Sequence, residues 1–306
     1  MPIHFSCPHC GLETLVDDEY AGQSGPCASC GKLIRVPFES SAGGTATAVR
    51  VYTQRRKTPV LTIVMLVLGG IAAAVLAISI ALVILFPAYT AARTIAQQRS
   101  CRANLVQIGM ALRAYEADHG TLPPAFIPDA NGKPMHSWRV LILPYLDGEQ
   151  GLYDRYDFNE PWDGPNNSQL TMLMPDVYAC PADPDARSMG ETSYMVIRGA
   201  ETLFPDSDAT SINQVQDDPA ATILVVETPV TGVTWLEPRD MKAERMQFVV
   251  NGGFDQEMGS HHDQGAHVLM VDGTVHFLKD STASDYIEGM TTISGGEPID
   301  PMLLDD

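Results

Sequence analysis

Residues 59–87 read PVLTIVMLVLGGIAAAVLAISIALVILFP, a run with no charged residue and with Thr62 and Ser79 as its polar interruptions. At about 1.5 Å per residue, the stretch between the two prolines makes a helix of roughly 40 Å, enough to cross a hydrocarbon core of about 30 Å with some tilt. A core helix of a soluble domain has no need of such uniformity. A cleaved signal peptide has a shorter apolar core near the N-terminus. A transmembrane helix is therefore predicted over residues 60–87, kept as an anchor. Its amino flank carries Arg50, Arg55, Arg56 and Lys57, with no acidic residue from Ser40 onward. The positive-inside rule then places residues 1–59 in the cytoplasm and the rest outside the inner membrane, in a single pass. Arg93, Arg99 and Arg102 on the far flank pull the other way.

Charge divides along the same line. Beyond Arg102 there are ten Lys and Arg against 33 Asp and Glu, a net charge of −23. Such a surface excludes nucleic acid, which needs a basic footprint, and suits solubility, divalent cations or basic proteins. The six cysteines split as well, with four before the helix and Cys101 and Cys180 after it. In a reducing cytoplasm, paired cysteines are metal ligands, whereas two cysteines outside the membrane can oxidise. A Cys101–Cys180 disulfide is predicted, the alternative being two buried thiols.

The remaining pattern is α+β. Residues 39–59 look like a flexible linker with a basic end. Residues 88–119 are rich in Ala, Gln, Arg and Leu, and Leu105, Ile108, Leu112 and Tyr115 fall on one helical stripe. They are predicted to form a stalk, bent at Pro87 and ended by Gly120 and Pro123-Pro124. An outer domain at 120–280 follows, then an acidic tail at 281–306. Within the domain, Ser137–Leu146 suits a short helix or strand, and 192–197, 222–228 and 246–250 suit short strands. His267–Leu278 suits a hairpin with a type I′ turn at Asp272-Gly273. The expected architecture is one long helix packed on a mainly antiparallel sheet.

In residues 1–38, Cys7-x2-Cys10 and Cys27-x2-Cys30 can form two knuckles around one tetrahedral metal ion, with Gly11 and Gly31 easing each turn. The pattern from Ile3 to Gly11 and from Cys27 to Pro37 resembles a short zinc ribbon. The resemblance implies structural Zn²⁺ held by Cys7, Cys10, Cys27 and Cys30, with no open position for catalysis. His4 and His9 are read as bystanders. Asp17, Asp18 and Glu19 favour a protein partner over nucleic acid.

From about residue 85 to 280 the chain resembles a bacterial pilin-like family of unknown function that ends in an H-x9-DG motif described as prepilin-processing-associated. The stretches that carry the resemblance include Cys101-x-x-Asn104-Leu105, SWRVLILPYL, NEPWDGPNN, YACPADP, TSYMVI, TILVVE and His262-x9-Asp272-Gly273. It implies a pilin-like fold and a role in envelope, secretion or surface assembly. It also raises co-assembly with related pilin-like proteins through the apolar stalk. The usual prepilin signal, a glycine followed by Phe-Thr-x-x-Glu, does not occur before Pro87. Gly69-Gly70 is followed by Ile-Ala-Ala-Ala instead, which argues against peptidase processing and pilus incorporation.

Two constellations have the residue types for chemistry. His261, His262, His267 and His276 gather with Asp263 and Asp272, but cross-strand pairing of His267 with His276, and a His262 bond bracing the Asp-Gly turn, would explain them. Asp157, Glu160, Asp163 and Asn166 supply oxygens enough for Ca²⁺, although their spacing is not that of an EF-hand. Trp138, Trp162 and Trp235 are read as core or loop anchors. No phosphate loop, nucleophile elbow or His-Glu-x-x-His helix occurs, so no enzyme is expected. The expected function is a structural or interaction protein with partners in cytoplasm and envelope. The alternative is an outer metal-dependent hydrolase or ligand-binding domain built on one of those two clusters.

Overall fold

The computed structural model describes residues 1–38, 59–253 and 257–299. The linker expected at 39–59 lies, apart from Pro59, outside the described residues. The chain divides into two compact units, Met1–Ala72 and Ala73–Asp306.

In the first unit, β1 (Ile3–Ser6) pairs antiparallel with β2 (Glu13–Val16), and β3 (Ser24–Pro26) pairs antiparallel with β4 (Leu33–Arg35). Their apolar centre consists of Phe5, Cys7 and Cys27, with Val16, Cys30 and Ile34 against it. So small a core cannot offset the conformational entropy of 38 residues. The hairpins need a further source of stability.

Helix α1 runs without interruption from Val60 to His119, with Pro87 inside it. The apolar segment and the stalk expected to continue from it are one helix. Pro87 removes one backbone donor but does not end the helix. Residues 59–93 are exposed on every side of it, and the helix is long and apolar enough to cross a membrane. Ser79 donates its hydroxyl to Val75 O at 2.9 Å, which satisfies that polar group inside an apolar stretch.

At its other end α1 becomes the spine of the second unit. Cys101, Leu105, Ile108, Gly109, Ala111 and Leu112 are buried, so the predicted stripe is present, and Tyr115 packs partly buried against the same core. At Gly109 an added Cβ would lie 2.9 Å from Leu269 Cδ2. The missing side chain lets helix and sheet approach closely.

After α1 come the hairpin β5 (Phe126–Pro128) and β6 (Pro134–Ser137), and α2 (Trp138–Leu141), capped by Ser137 Oγ accepting from Arg139 N at 3.3 Å. Beyond Ser137, which closes β6, residues 138–145 are thus short helical turns and not a strand. Short helices α3 (Gln150–Tyr153) and α4 (Ala186–Met189) follow. The main sheet is built from β7 (Tyr194–Met195), β9 (Ile223–Glu227), β11 (Gly265–Met270) and β12 (Val275–Lys279), in the order β12-β11-β9-β7, all antiparallel. A parallel pair of β8 (Ile197–Arg198) and β10 (Met241–Lys242) lies apart from it. Strands β9 and β11 are buried along their whole length. One apolar cluster holds the α1 stripe, Trp138, Tyr178, Trp235 and Leu269, and a second holds Val226, Val268, Met241 and Met258.

Three expectations are corrected. The strand expected at 246–250 does not form, because Phe248 adopts φ 49° and Asn251 φ 55°, values no strand accommodates. The stretch beyond residue 280 is not simply a tail. Helix α5 (Ser284–Thr291) puts Ile287 and Met290 into the second cluster. The β11–β12 turn is not type I′, since of its residues Gly273 alone has positive φ, at 97°. Met270 and Thr274 close around Val271, Asp272 and Gly273, with Met270 N donating to Thr274 O at 2.8 Å. This is the three-residue hairpin with a glycine bulge.

One polar knot sits inside the first core. Arg139 and Asp240, both fully buried, are 2.6 Å apart. Asp240 Oδ1 also accepts from Trp138 Nε1 at 3.2 Å and Val196 N at 3.1 Å. The guanidinium donates to Tyr194 O at 2.8 Å from Nη2 and 3.1 Å from Nε, and to Ser137 Oγ at 3.1 Å. Removing one partner of such a pair leaves an uncompensated buried charge, at a cost of about 3–5 kcal/mol. Asp240→Ala is expected to destabilise the second unit by about that much, and Asp240→Asn by less. Denaturant unfolding of the two variants followed by tryptophan fluorescence checks both.

Candidate functional site

The cysteine set is brought together by two matched turns. Cys7 N donates to Leu12 O at 2.8 Å and Gly11 N to Cys7 O at 2.9 Å. Cys27 N donates to Lys32 O and Gly31 N to Cys27 O, both at 2.8 Å. Gly11 and Gly31 have φ of 70° and 69°, which a side chain would strain. The result places Cys7 Sγ 3.9 Å from Cys30 Sγ and Cys10 Sγ 3.8 Å from Cys27 Sγ, and all four sulfurs lie within 4.8 Å of one another. A tetrahedral ion with metal–sulfur bonds of about 2.3 Å has sulfur–sulfur edges of about 3.8 Å. The four cysteines can hold a metal ion.

Electrostatics agree. Backbone N–H groups of Cys30 and Ser29 pull the Cys27 thiol down to about 6. Cys30, although the N–H of Lys32 favours its thiolate, is pushed up to about 11 by burial and by the neighbouring thiols. One thiolate among four sulfurs suppresses ionisation of the others, and a bound cation removes that conflict.

In the second unit Cys101 and Cys180 form the disulfide, with Cα atoms 5.3 Å apart. His262 packs on it, its Nε2 3.4 Å from Cys180 Sγ. A bridged sulfur has no proton to give, so the imidazole is the donor. The same Nε2 lies 3.7 Å from Glu227 Oε1. The other carboxylate oxygen, Oε2, accepts from His267 N at 2.7 Å and contacts His267 Nδ1 at 3.0 Å. Both rings and Glu227 are buried. Desolvation would raise the Glu227 carboxyl, but the contacts from His262 and His267 override it and hold it below the usual carboxylate range.

This is not the arrangement the sequence suggested. His262 braces the disulfide and Glu227 and not the Asp-Gly turn. There, Asp272 Oδ1 accepts from Thr274 N at 2.7 Å and from its hydroxyl at 2.6 Å. His267 and His276 are not cross-strand partners, because His267 pairs with Phe277 and His276 with Val268. His261 is drawn off toward Asp183, at 3.8 Å. Strand register thus dissolves the four-histidine cluster, and Glu227, which no sequence motif marked, becomes the centre of what remains.

The acidic loop spends its carboxylates on itself. Asp157 Oδ1 accepts from Asn159 N and Nδ2, both at 2.8 Å, and Glu160 Oε1 from Asn166 N at 2.8 Å and Asn167 N at 2.6 Å. Trp138 and Trp235 are fully buried core residues, and Trp162 packs partly buried beside them.

Residues 90–252 and 227–285 match the model of a family described as protein of unknown function (DUF1559). The matched residues include Cys101, Cys180, Glu227, His262 and the β11–β12 turn, and leave out the cysteine unit and the apolar half of α1. No match was found among curated proteins or among solved structures.

Two outcomes are expected. A strong chelator, or Cys27→Ser, removes the bound metal and exposes residues 1–38 to protease while the second unit stays protected, as limited proteolysis of the full chain reports. Glu227, held below its ordinary value of 4.5, contributes stability that is present above pH 4.5 and lost as pH falls through its folded value. Glu227→Gln should cost about 1.5–3 kcal/mol at neutral pH and flatten the fall of melting temperature below about pH 4.5, as thermal unfolding across pH reports.

Proposed function

The chain belongs to the DUF1559 family, and we propose that it acts as a single-pass, membrane-anchored, pilin-like structural or interaction protein, by binding and not by catalysis. The observation that carries this reading is helix α1. Its residues 60–87 carry no charge, are almost wholly apolar and are exposed on all sides, which water does not tolerate over such a length, while its residues 101–112 are the spine of a folded domain. One helix thereby joins lipid to domain with no intervening linker. Its packing across an antiparallel sheet is the basis for the pilin-like assignment.

In this reading residues 1–59 are cytoplasmic, as the basic flank at Arg50–Lys57 favours, and the acidic domain lies outside the inner membrane. The ion held by Cys7, Cys10, Cys27 and Cys30 is Zn²⁺ in a structural role. Four protein sulfurs complete its coordination, so it folds the module and carries no reaction. The module docks a cytoplasmic protein, and the outer domain contacts envelope, secretion or surface-assembly proteins.

An impermeant thiol reagent applied to intact cells and to inverted membrane vesicles tests the topology. Cys7, Cys10, Cys27 and Cys30 should label only from the cytoplasmic face and only after chelation, and Cys101 and Cys180 only after reduction from outside. Labelling of the first four cysteines in intact cells would overturn the orientation.

A further inference from the structure

The anchor reading leaves one arrangement unused. The two sulfurs of Cys101 and Cys180, a Glu227 carboxylate oxygen and a His262 ring nitrogen lie within 4.8 Å of one another, and all four residues are buried. They come from four places in the chain: α1, the loop before α4, the end of β9 and the loop before β11. Two sulfurs, an imidazole and a carboxylate are a mixed donor set suited to a borderline-soft divalent ion.

A second, independent feature points into the same space. Glu227 is 1 % exposed, and its Oε1 has no hydrogen-bond partner. A buried carboxylate oxygen left without a donor is costly. Its partner Oε2 is held twice by His267. That is the second-shell contact that aims a ligating carboxylate, leaving the free oxygen toward the sulfurs.

We propose that reduction of the Cys101–Cys180 disulfide converts this knot into a Zn²⁺ site whose ligands are Cys101, Cys180, His262 and Glu227. The S–S bond breaks with two electrons and two protons taken from a dithiol, which becomes a disulfide, and each cysteine sulfur ends as a thiol. Binding Zn²⁺ then releases the two thiol protons. His262, whose Nε2 carries the proton while the disulfide is intact, changes tautomer so that the proton sits on Nδ1 and the Nε2 lone pair faces the ion. With the bond cut, the sulfurs are free to part to the tetrahedral edge of about 3.8 Å. The site is closed while the disulfide is intact, because both sulfurs are then used by each other. Metal binding in the second unit is therefore gated by thiol redox state, independently of the cysteine module in the first.

The test uses the full chain in detergent. Oxidised protein, and protein reduced with dithiothreitol and desalted anaerobically, are equilibrated with Zn²⁺, and bound metal per chain is measured. One equivalent is expected in the oxidised state and a second only after reduction. The second should persist when Cys7, Cys10, Cys27 and Cys30 are all replaced by serine, and should be lost in His262→Ala. The wild-type comparison stands by itself if His262→Ala fails to fold. Near-UV circular dichroism follows folding throughout. Equal stoichiometry in both redox states overturns the proposal. So does a second equivalent that survives in folded His262→Ala, or a reduced second unit that unfolds and does not regain structure with Zn²⁺.

Discussion

The second unit is built on one helix whose two halves face different demands. Between Val60 and Pro87 the side chains of α1 are uncharged and, apart from Thr62 and Ser79, apolar in every direction, so neither face is suited to water. Between Cys101 and Leu112 one face is buried, while Arg102 and Met110 on the other face are exposed. The change from all-round to one-sided apolarity spans Arg93, Arg99 and Arg102. Long cationic side chains are suited to such a border, since their stems tolerate the apolar side and their heads reach water. The second unit follows from the one-sided half. A buried stripe needs a partner, and the sheet supplies it at the Gly109–Leu269 approach.

Inside that unit, specificity comes from buried charge and not from more apolar surface. Arg139 and Asp240 tie α2 to the backbone at Tyr194 and Val196, elements brought together from distant parts of the sequence. Glu227 does the same for β9, β11 and the loop that carries His262. Each knot is bonded to backbone as well as side chains, so each fixes a chain path as well as a contact. An apolar core of the same volume would tolerate sliding of these short strands. A carboxylate with its donors set at 2.6–3.1 Å does not.

Legibility in the sequence tracks how local the cause is. The membrane helix, the α1 stripe and the two cysteine knuckles depend on neighbours within a turn or a few residues, and all are plain in the letters. The Cys101–Cys180 bridge was legible from chemistry of a different kind, the separation of two cysteines from four others by an apolar run. The histidine cluster misled because letters close in sequence were assumed close in space. A one-residue register difference puts His267 toward Glu227 and leaves His276 opposite Val268. Glu227 and Arg139 lie within the stretches TILVVE and SWRVLILPYL, where nothing in the local pattern sets either residue apart. Their partners lie 40 and 101 residues away, and no periodicity reports that. Phe248 and Asn251 show the converse failure, since propensity suited a strand and backbone conformation forbade it.

The two sulfur sites differ in what holds them, and that difference assigns them to different surroundings. In the first unit the hairpins have almost no core, so four sulfurs able to hold an ion stand where a core would, and oxidation of Cys7, Cys10, Cys27 or Cys30 would remove that capacity. Such a module is stable only where thiols stay reduced. In the second unit Cys101 is packed at 0 % exposure among Leu105, Tyr178 and Tyr194, and the disulfide adds a cross-link to a core that already exists. Its fold does not depend on thiols staying reduced. In the sequence the apolar run separates the four cysteines from the two, so the two redox demands fall on either side of it along the chain.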